Sequence, residues 1–178
     1  MKKKIILVGG AGYIGTVLTG HLLNEGYKVK CIDNLIYEQD DCLSSFFKNK
    51  NYEFINIDIR QKNLLVEHFD VDCSVVLLAG LVGDPISKKY PQINDEINLS
   101  GILNIIEICK EKNIEKLIFT STCSNYGITE NNIKAKEDHN LNPLSLYASA
   151  KVQIEKYLMS INKDSYLKPT ILRFATAF

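Results

Sequence analysis

Short apolar runs alternate along the chain with segments in which apolar residues recur every three or four positions. Runs of the first kind predict buried strands, at residues 4–8, 28–32, 52–57, 73–79, 116–120 and 170–174. Segments of the second kind predict helices, at residues 13–25, 64–69, 92–112 and 146–160, with a short helix near 43–48. This alternation predicts an α/β fold, a Rossmann-like doubly wound parallel sheet with helices on both faces.

The first strand runs directly into a glycine-punctuated turn, Gly9-Gly10-Ala11-Gly12-Tyr13-Ile14-Gly15. The glycines fit both the G-x-G-x-x-G and the G-x-x-G-x-x-G spacing. A strand, a tight turn and a helix start aim backbone N–H groups at one point, where a diphosphate can bind. The three lysines at 2–4, followed by an apolar run, also resemble a secretory signal. Only four apolar residues precede Gly9, however, which is short for such a signal.

An acidic residue is expected about 20 positions after such a turn, at the end of the next strand, where it holds a ribose. Asp33 occupies this position, directly after the predicted strand 28–32. The turn and Asp33 together predict a dinucleotide site.

Composition excludes several classes of function. The formal net charge is zero, so nothing favours nucleic acid or an anionic membrane as a partner. No apolar run is long enough to span a membrane. The five cysteines are odd in number and include no C-x-x-C pair, and the three histidines are scattered. This pattern favours a reducing cytoplasm and predicts neither a disulfide framework nor a metal site.

Tyr147 and Lys151 are spaced to share one face of the last predicted helix. An ammonium close to a phenol favours the phenolate, so Tyr147 is a candidate acid/base group. A solvated helix pair is the alternative. Thr122 lies near the end of the fifth strand, on the same edge of the sheet as the diphosphate site. Its hydroxyl is a candidate donor to a reacting oxygen, and local backbone capping is the alternative.

Taken in order, these residues resemble the extended short-chain dehydrogenase/reductase family, in its branch of NAD-dependent nucleotide-sugar epimerases and dehydratases. The resemblance covers nearly the whole chain. It includes the segments 8–15, 33–35, 58–60, 77–80, 97–101, 121–127 and 142–145, and Tyr147 with Lys151. One departure is Val8, where the family usually has threonine.

The resemblance assigns roles to individual residues. It implies that the diphosphate is lined by Gly9, Gly12, Tyr13, Ile14 and Gly15. It implies that Asp33 and Asn34 bind the adenosine ribose region, with NAD favoured over NADP, and that Asp58 and Ile59 flank adenine. Further residues would lie along the cofactor: Leu78, Ala79, Gly80 and Asn98. Tyr147 would be the acid/base, Lys151 would bind the nicotinamide ribose, and Thr122 would complete a catalytic triad.

The residues after Thr122 bear on the reaction. The common 4,6-dehydratases of this family carry Asp-Glu there, which drives loss of water, whereas this chain has Cys123 and Ser124. The resemblance therefore implies an epimerase acting on a nucleotide-diphosphate sugar. A keto-sugar reductase or dehydrogenase and a non-catalytic dinucleotide-binding or redox-sensing module remain as alternatives. A reactive role for Cys123 is disfavoured because no histidine is placed to activate it.

Family members continue beyond the sixth strand into a portion that builds most of the sugar-nucleotide pocket. Residues 1–178 are therefore expected to form one NAD-binding Rossmann domain with the triad. The C-terminal substrate-binding portion is expected to be absent, the chain to be truncated after strand six, and epimerase activity to be weak or absent. The resemblance also implies a homodimer through the helices near 92–112 and 146–160. The apolar stripes of these helices allow the dimer, but could equally be buried against the sheet.

Overall fold

Six parallel strands form one sheet in the computed structural model, which describes residues 3–128 and 134–175. The strands are β1 (Lys4–Val8), β2 (Lys28–Asp33), β3 (Tyr52–Asn56), β4 (Cys73–Leu77), β5 (Lys116–Thr122) and β6 (Lys168–Phe174). Their order is β3-β2-β1-β4-β5-β6. Val8, at the end of β1, pairs with Ile32 on one side and Leu77 on the other. The predicted doubly wound parallel sheet is confirmed.

The helices follow the strands on both faces. They are α1 (Tyr13–Asn24), α2 (Lys62–Leu65), α3 (Asp84–Lys89), α4 (Pro91–Asp95), α5 (Ile102–Glu111) and α6 (Leu146–Ser160). A π-helical segment, Glu96–Gly101, joins α4 to α5. Short 3₁₀ turns occur at Asp40–Leu43, Val66–His68 and Cys123–Tyr126.

Several predicted helices were wrong in detail. No helix forms at 43–48; the chain instead makes a 3₁₀ turn at Asp40–Leu43. The helix predicted at 64–69 begins two residues earlier and tightens into a 3₁₀ turn at Val66. The α3 helix was missed because its Gly-Asp-Pro start resembles a loop, yet proline fits the first helical turn, where its missing N–H is not needed.

The alternation of side chains along β1 divides the core between the two faces of the sheet. Ile6 and Val8 join the larger cluster with residues of α5 and α6, whereas Leu7 packs with Leu22 and Leu23 of α1. The predicted apolar stripe on the helix at 92–112 belongs largely to this core. Its buried members are Ile97, Ile102, Ile105, Ile106 and Cys109. The stripe therefore faces the sheet, and the homodimer stays a prediction.

Two further observations concern the whole described part of the chain. All five cysteines are free; Cys42 and Cys123 are exposed and the other three are buried. Within residues 3–128 and 134–175, no helix combines the length and apolar character that a membrane crossing needs.

Candidate active site

A cleft of about 820 Å³ runs along the carboxyl ends of β1, β2, β4 and β5. This is the edge at which doubly wound sheets bind ligands. Every residue predicted for the site lines the cleft except Asn98. The residues brought together are Gly9, Gly12, Tyr13, Ile14, Gly15, Asp33, Asn34, Asp58, Ile59, Leu78, Ala79, Gly80, Thr122, Tyr147 and Lys151.

The glycines of the turn differ in what requires glycine at each position. Gly9 has a φ of +82°, and a Cβ there would lie 2.4 Å from the backbone nitrogen of Ala79. A Cβ on Gly15 would lie 2.5 Å from the carbonyl oxygen of Gly10, so this glycine lets α1 approach the turn. Gly12 differs, because a Cβ there would meet only Gly9 O, at 3.5 Å. Protein packing therefore requires glycine at 9 and 15, whereas at Gly12 the open space belongs to the cleft.

The start of α1 faces the cleft without a cap. Gly12 is the N-cap residue, no side chain accepts from the first turn, and no acidic residue lies in that turn. The first N–H groups of a helix have no partner within the helix, and the helix dipole places positive potential there. The arrangement suits an anionic group such as a diphosphate.

Asp33 anchors the loop that follows β2. Its Oδ2 accepts a hydrogen bond from Ala11 N at 3.0 Å, and its Oδ1 accepts one from Leu35 N at 2.9 Å. The carboxylate thus ties the glycine turn to the β2 end while it lines the cleft. Because a carboxylate oxygen accepts more than one hydrogen bond, both oxygens keep capacity for a ligand hydroxyl.

Polar groups link the ends of β2 and β3 at the far side of the cleft. Asn34 Nδ2 donates to Asp58 Oδ2 at 2.9 Å, and Arg60 Nη2 lies 2.7 Å from the same oxygen. Hydrogen bonds from Arg60 hold the pKa of Asp58 below its usual value. Beside Asp58, Ile59 packs against Gly101 of the π-helical segment, where a Cβ would lie 2.7 Å from Ile59 Cγ1.

Asn98 is the predicted residue that the structure places behind the cleft wall. Its side chain is fully buried, accepts from Leu81 N at 2.7 Å and donates to Leu81 O at 2.9 Å. Its Nδ2 also donates to Asn94 Oδ1. The expectation that Asn98 lies along the cofactor stays a prediction. Asn98 holds the loop after β4, because the π-helical segment turns its amide towards Leu81 rather than into the cleft.

Tyr147 and Lys151 lie together at the β5 end of the cleft. Lys151 Nζ lies 5.8 Å from the centre of the Tyr147 ring and 4.7 Å from that of Phe119. It donates to Thr120 O at 2.9 Å. Burial lowers the pKa of Lys151 to about 8, with the charge of Glu155 acting in the opposite direction. Lys151 is 2% exposed, so the solvated-pair alternative does not describe it.

Thr122 makes the local backbone cap considered for it and also lines the cleft. Its Oγ1 accepts a hydrogen bond from Ser124 N at 3.1 Å, which caps the 3₁₀ turn at Cys123–Tyr126. A hydroxyl that accepts in this way still carries its own proton. Thr122 lines the same cleft as Tyr147 and can donate that proton to a ligand oxygen.

Sequence reasoning missed part of the cleft wall. Ile36, Tyr37 and Gln39 line it from the loop after β2, and Leu81, Val82 and Gly83 line it after β4. The two loops meet where Val82 N donates to Tyr37 Oη at 3.4 Å. Asn34 Oδ1 accepts a hydrogen bond from Ile36 N. This Asx turn is a local sequence signal for the loop after β2. No signal of this kind pairs the two loops. Phe174 and Ala175 complete the wall; residues 176–178, at the predicted truncation, lie outside the described residues.

Comparison with known proteins extends these observations. A model of the NAD dependent epimerase/dehydratase family matches residues 5–178. Among curated proteins, the chain is 31% identical over 169 residues to a bifunctional UDP-glucose 4-epimerase and UDP-xylose 4-epimerase of Pisum sativum, covering 90% of this chain and 48% of the relative. The resemblance stated from the sequence and the predicted NAD cofactor are both confirmed by the family match.

Solved structures give the same relationship. The UDP-N-acetylglucosamine 4-epimerase from Methanobrevibacter ruminantium, in complex with UDP-N-acetylmuramic acid, superposes with a TM-score of 0.86 at 31% identity, over 97% of this chain and 55% of that one. The UDP-glucose 4-epimerase of Thermus thermophilus, in complex with NAD, gives a TM-score of 0.82 at 30% identity, over 96% and 54%. The chain thus spans about half the length of the relatives it matches.

Proposed function

The chain belongs to the NAD dependent epimerase/dehydratase family, and from this premise we propose that it carries the NAD site and the reacting groups of a nucleotide-sugar epimerase. The observation that carries the proposal is a convergence of side chains. Thr122, Tyr147 and Lys151, from β5 and α6, line one end of a cleft whose other end is built from the glycine turn and Asp33.

The residues present fit NAD. The open space at Gly12 and the uncapped start of α1 suit the diphosphate. Asp33 suits the adenosine ribose, and its negative charge disfavours the 2′-phosphate of NADP. Asn34, Asp58 and Ile59 would flank adenine. Leu78, Ala79 and Gly80 would line the middle of the cofactor, and Asn98 would support that loop from behind.

Bound NAD supplies an acceptor for the hydride that leaves the sugar carbon and a source of the hydride that returns. The protein's own groups handle the proton. Tyr147 would take it from the sugar hydroxyl as the hydride leaves, and would give it back when the hydride returns to the opposite face. The Lys151 ammonium would favour the phenolate of Tyr147. Thr122 would donate a hydrogen bond to the reacting oxygen.

The substrate class follows from the relatives. Those reported above are 4-epimerases of UDP-glucose, UDP-xylose and UDP-N-acetylglucosamine. We therefore propose a UDP-sugar as substrate and the sugar 4-hydroxyl as the group that Tyr147 deprotonates. The positions after Thr122 agree with epimerisation, because Cys123 and Ser124 do not supply the carboxyl pair implied for a dehydratase.

The test uses the purified chain with NAD and a panel of UDP-glucose, UDP-xylose and UDP-N-acetylglucosamine. The proposal expects the absorbance of reduced nicotinamide to appear after at least one sugar is added, and NMR to detect inversion at C4. Tyr147→Phe is expected to abolish both and to retain NAD binding. A chain that binds both NAD and the UDP-sugars but leaves the NAD oxidised would contradict the catalytic role and favour the binding-module alternative. Release of an oxidised keto-sugar without inversion, with the nicotinamide left reduced, would instead favour a dehydrogenase.

Two further expectations complete the proposal. The chain would act in the cytoplasm, as the free cysteines favour. It would form a homodimer through the outer surfaces of α4, α5 and α6, which light scattering of the purified chain would test.

A further inference from the structure

A buried carboxylate lies one helical turn beyond Lys151. Glu155 of α6 is fully buried, and its partner is Arg173 of β6. Arg173 Nη2 lies 2.7 Å from Glu155 Oε2, and Arg173 Nε lies 3.1 Å from both carboxylate oxygens. A buried charge is tolerated only when it is paired and hydrogen-bonded. The pair joins α6, which carries Tyr147 and Lys151, to the edge strand of the sheet.

The same pair also holds the segment 121–126, which carries Thr122. Ser121 Oγ and Asn125 Nδ2 both donate to Glu155 Oε1. Arg173 Nη1 donates to Tyr126 Oη at 2.9 Å, and the guanidinium lies 5.1 Å from the centre of that ring. Glu155 therefore accepts hydrogen bonds from Ser121 and Asn125, on either side of Thr122. Arg173 donates one to Tyr126, the last residue of the turn.

The surroundings of Lys151 give this pair an electrostatic consequence. The hydrogen bond found for its Nζ goes to the neutral carbonyl of Thr120, and no carboxylate within the described residues forms an ion pair with it. The ionisable groups that act on it from its own helix are Tyr147 and Glu155, and Glu155 is in turn paired with Arg173 of β6. The β5 wall offers Thr120 and Phe119, which carry no charge. The negative charge of Glu155 favours the Lys151 ammonium, and the ion pair with Arg173 offsets part of that charge.

We propose that Glu155 and Arg173 are positioning residues: they fix the Thr122 segment against the Tyr147 and Lys151 helix, and their balance of charge keeps the Lys151 ammonium protonated in its buried site. The catalytic meaning of this arrangement rests on the function proposed above. The arrangement itself is testable without any turnover, so failure of one proposal is distinguishable from failure of the other.

The experiment measures the pKa of Lys151 by NMR of the chain labelled at lysine, with Lys151→Met used to assign the signal. Glu155→Gln removes the supporting charge and is expected to lower the Lys151 pKa by about one unit. Arg173→Gln removes the ion-pair partner of Glu155, whose carboxylate keeps the hydrogen bonds from Ser121 and Asn125. Lys151 then becomes the cation that this charge favours, and its pKa is expected to rise by about one unit. Glu107→Gln is the matched control. Because Glu107 contacts Tyr157 on the outer side of α6, this substitution is expected to leave the Lys151 pKa unchanged.

The opposite signs separate this role from a merely structural one. Loosened packing would let water reach Lys151 and would raise its pKa in both variants. Shifts of the same sign, or no shift, would therefore overturn the proposal. If either substitution unfolds the chain, Glu155→Asp decides, because it keeps the charge and shortens the reach. Faster amide hydrogen exchange confined to residues 122–126 would support the proposal, and unchanged or uniformly faster exchange would overturn it.

Discussion

The Lys151 ammonium lies 5.8 Å from the centre of the Tyr147 ring and is held there by a hydrogen bond to Thr120 O. The i, i+4 spacing on α6 places both side chains on one helix face, and the end of β5 fixes the lysine from the other side. The tyrosine therefore borders the cleft with a cation beneath it. This relationship underlies the first two predictions.

Tyr147→Phe removes the phenolic group and keeps the ring. We expect the rate of nicotinamide reduction by the UDP-sugar to fall at least about 100-fold, since general acid–base catalysis contributes on that scale. NAD affinity, measured by calorimetry, is expected to stay near the wild-type value. Substantial reduction in this variant would contradict the assignment of Tyr147 as the acid/base.

The buried Lys151 predicts that its own contribution to folding stability rises with pH above neutrality. Its pKa is about 8 when folded, against an ordinary value of 10.5. Between these values the unfolded chain binds a proton that the folded chain does not, so rising pH favours folding, by roughly 3 kcal/mol for this group alone. Urea unfolding of wild type and Lys151→Met from about pH 7 to about pH 11 isolates the contribution. The buried cysteines, whose pKa values are raised by burial, affect both proteins alike. We therefore expect the stability of wild type relative to the variant to increase over this pH range, and parallel curves would refute the prediction.

The glycine turn predicts that binding and stability can be separated. Gly12→Ala adds a methyl group at a site with ordinary backbone angles and open space. We expect stability to change by less than about 1 kcal/mol, while NAD affinity falls at least about tenfold because the methyl group occupies the diphosphate site. Calorimetry and thermal unfolding measure the two effects.

Two other glycines serve as controls for this experiment. Gly9→Ala combines a φ of +82° with a contact of 2.4 Å to Ala79 N, so we expect it to destabilise the fold by more than about 2 kcal/mol. Gly26→Ala has a similar φ of +79° but nothing within 4 Å, so it reports backbone strain alone, of about 1 kcal/mol. Equal losses of stability in both variants would contradict the packing argument for Gly9.

The parts of this molecule that follow from the sequence are those set by local pattern. The strand β1 and the helix α6 have the predicted bounds, because burial periodicity and the Ser145 cap are local signals. The π-helical segment has no comparable signal, since the i→i+5 pattern depends on the packing around Gly101 and Asn98. For the same reason the glycine turn and the tyrosine–lysine pair were predictable as site residues, whereas the clamp of Asn98 on Leu81 was not.

Asp33 predicts the choice between NAD and NADP. Asp33→Asn removes the negative charge and replaces one carboxylate oxygen by an NH2 group. Either Ala11 N–H or Leu35 N–H then loses the oxygen that accepts its hydrogen bond. We expect a stability loss of about 1–2 kcal/mol, weaker NAD binding and a NADP-to-NAD affinity ratio closer to one. Fluorescence titration with both cofactors measures the ratio. Asp58→Asn is the control and should leave it unchanged; an unchanged ratio in Asp33→Asn would rule out this role.

Asn98→Leu tests whether a residue outside the cleft controls binding within it. The substitution removes both hydrogen bonds between Asn98 and Leu81. The buried backbone N–H and C=O of Leu81 then lack these partners. We expect a stability loss of about 3 kcal/mol and at least tenfold weaker NAD binding, about 1.4 kcal/mol, because Gly80 and Leu81 form the cleft wall.

Leu158→Ala is the control: its buried side chain packs away from the cleft, and its removal should cost a similar amount, about 2–5 kcal/mol. Weaker NAD binding in Asn98→Leu but not in Leu158→Ala, measured by calorimetry at a temperature where both are folded, would establish the role; equal affinities would exclude it.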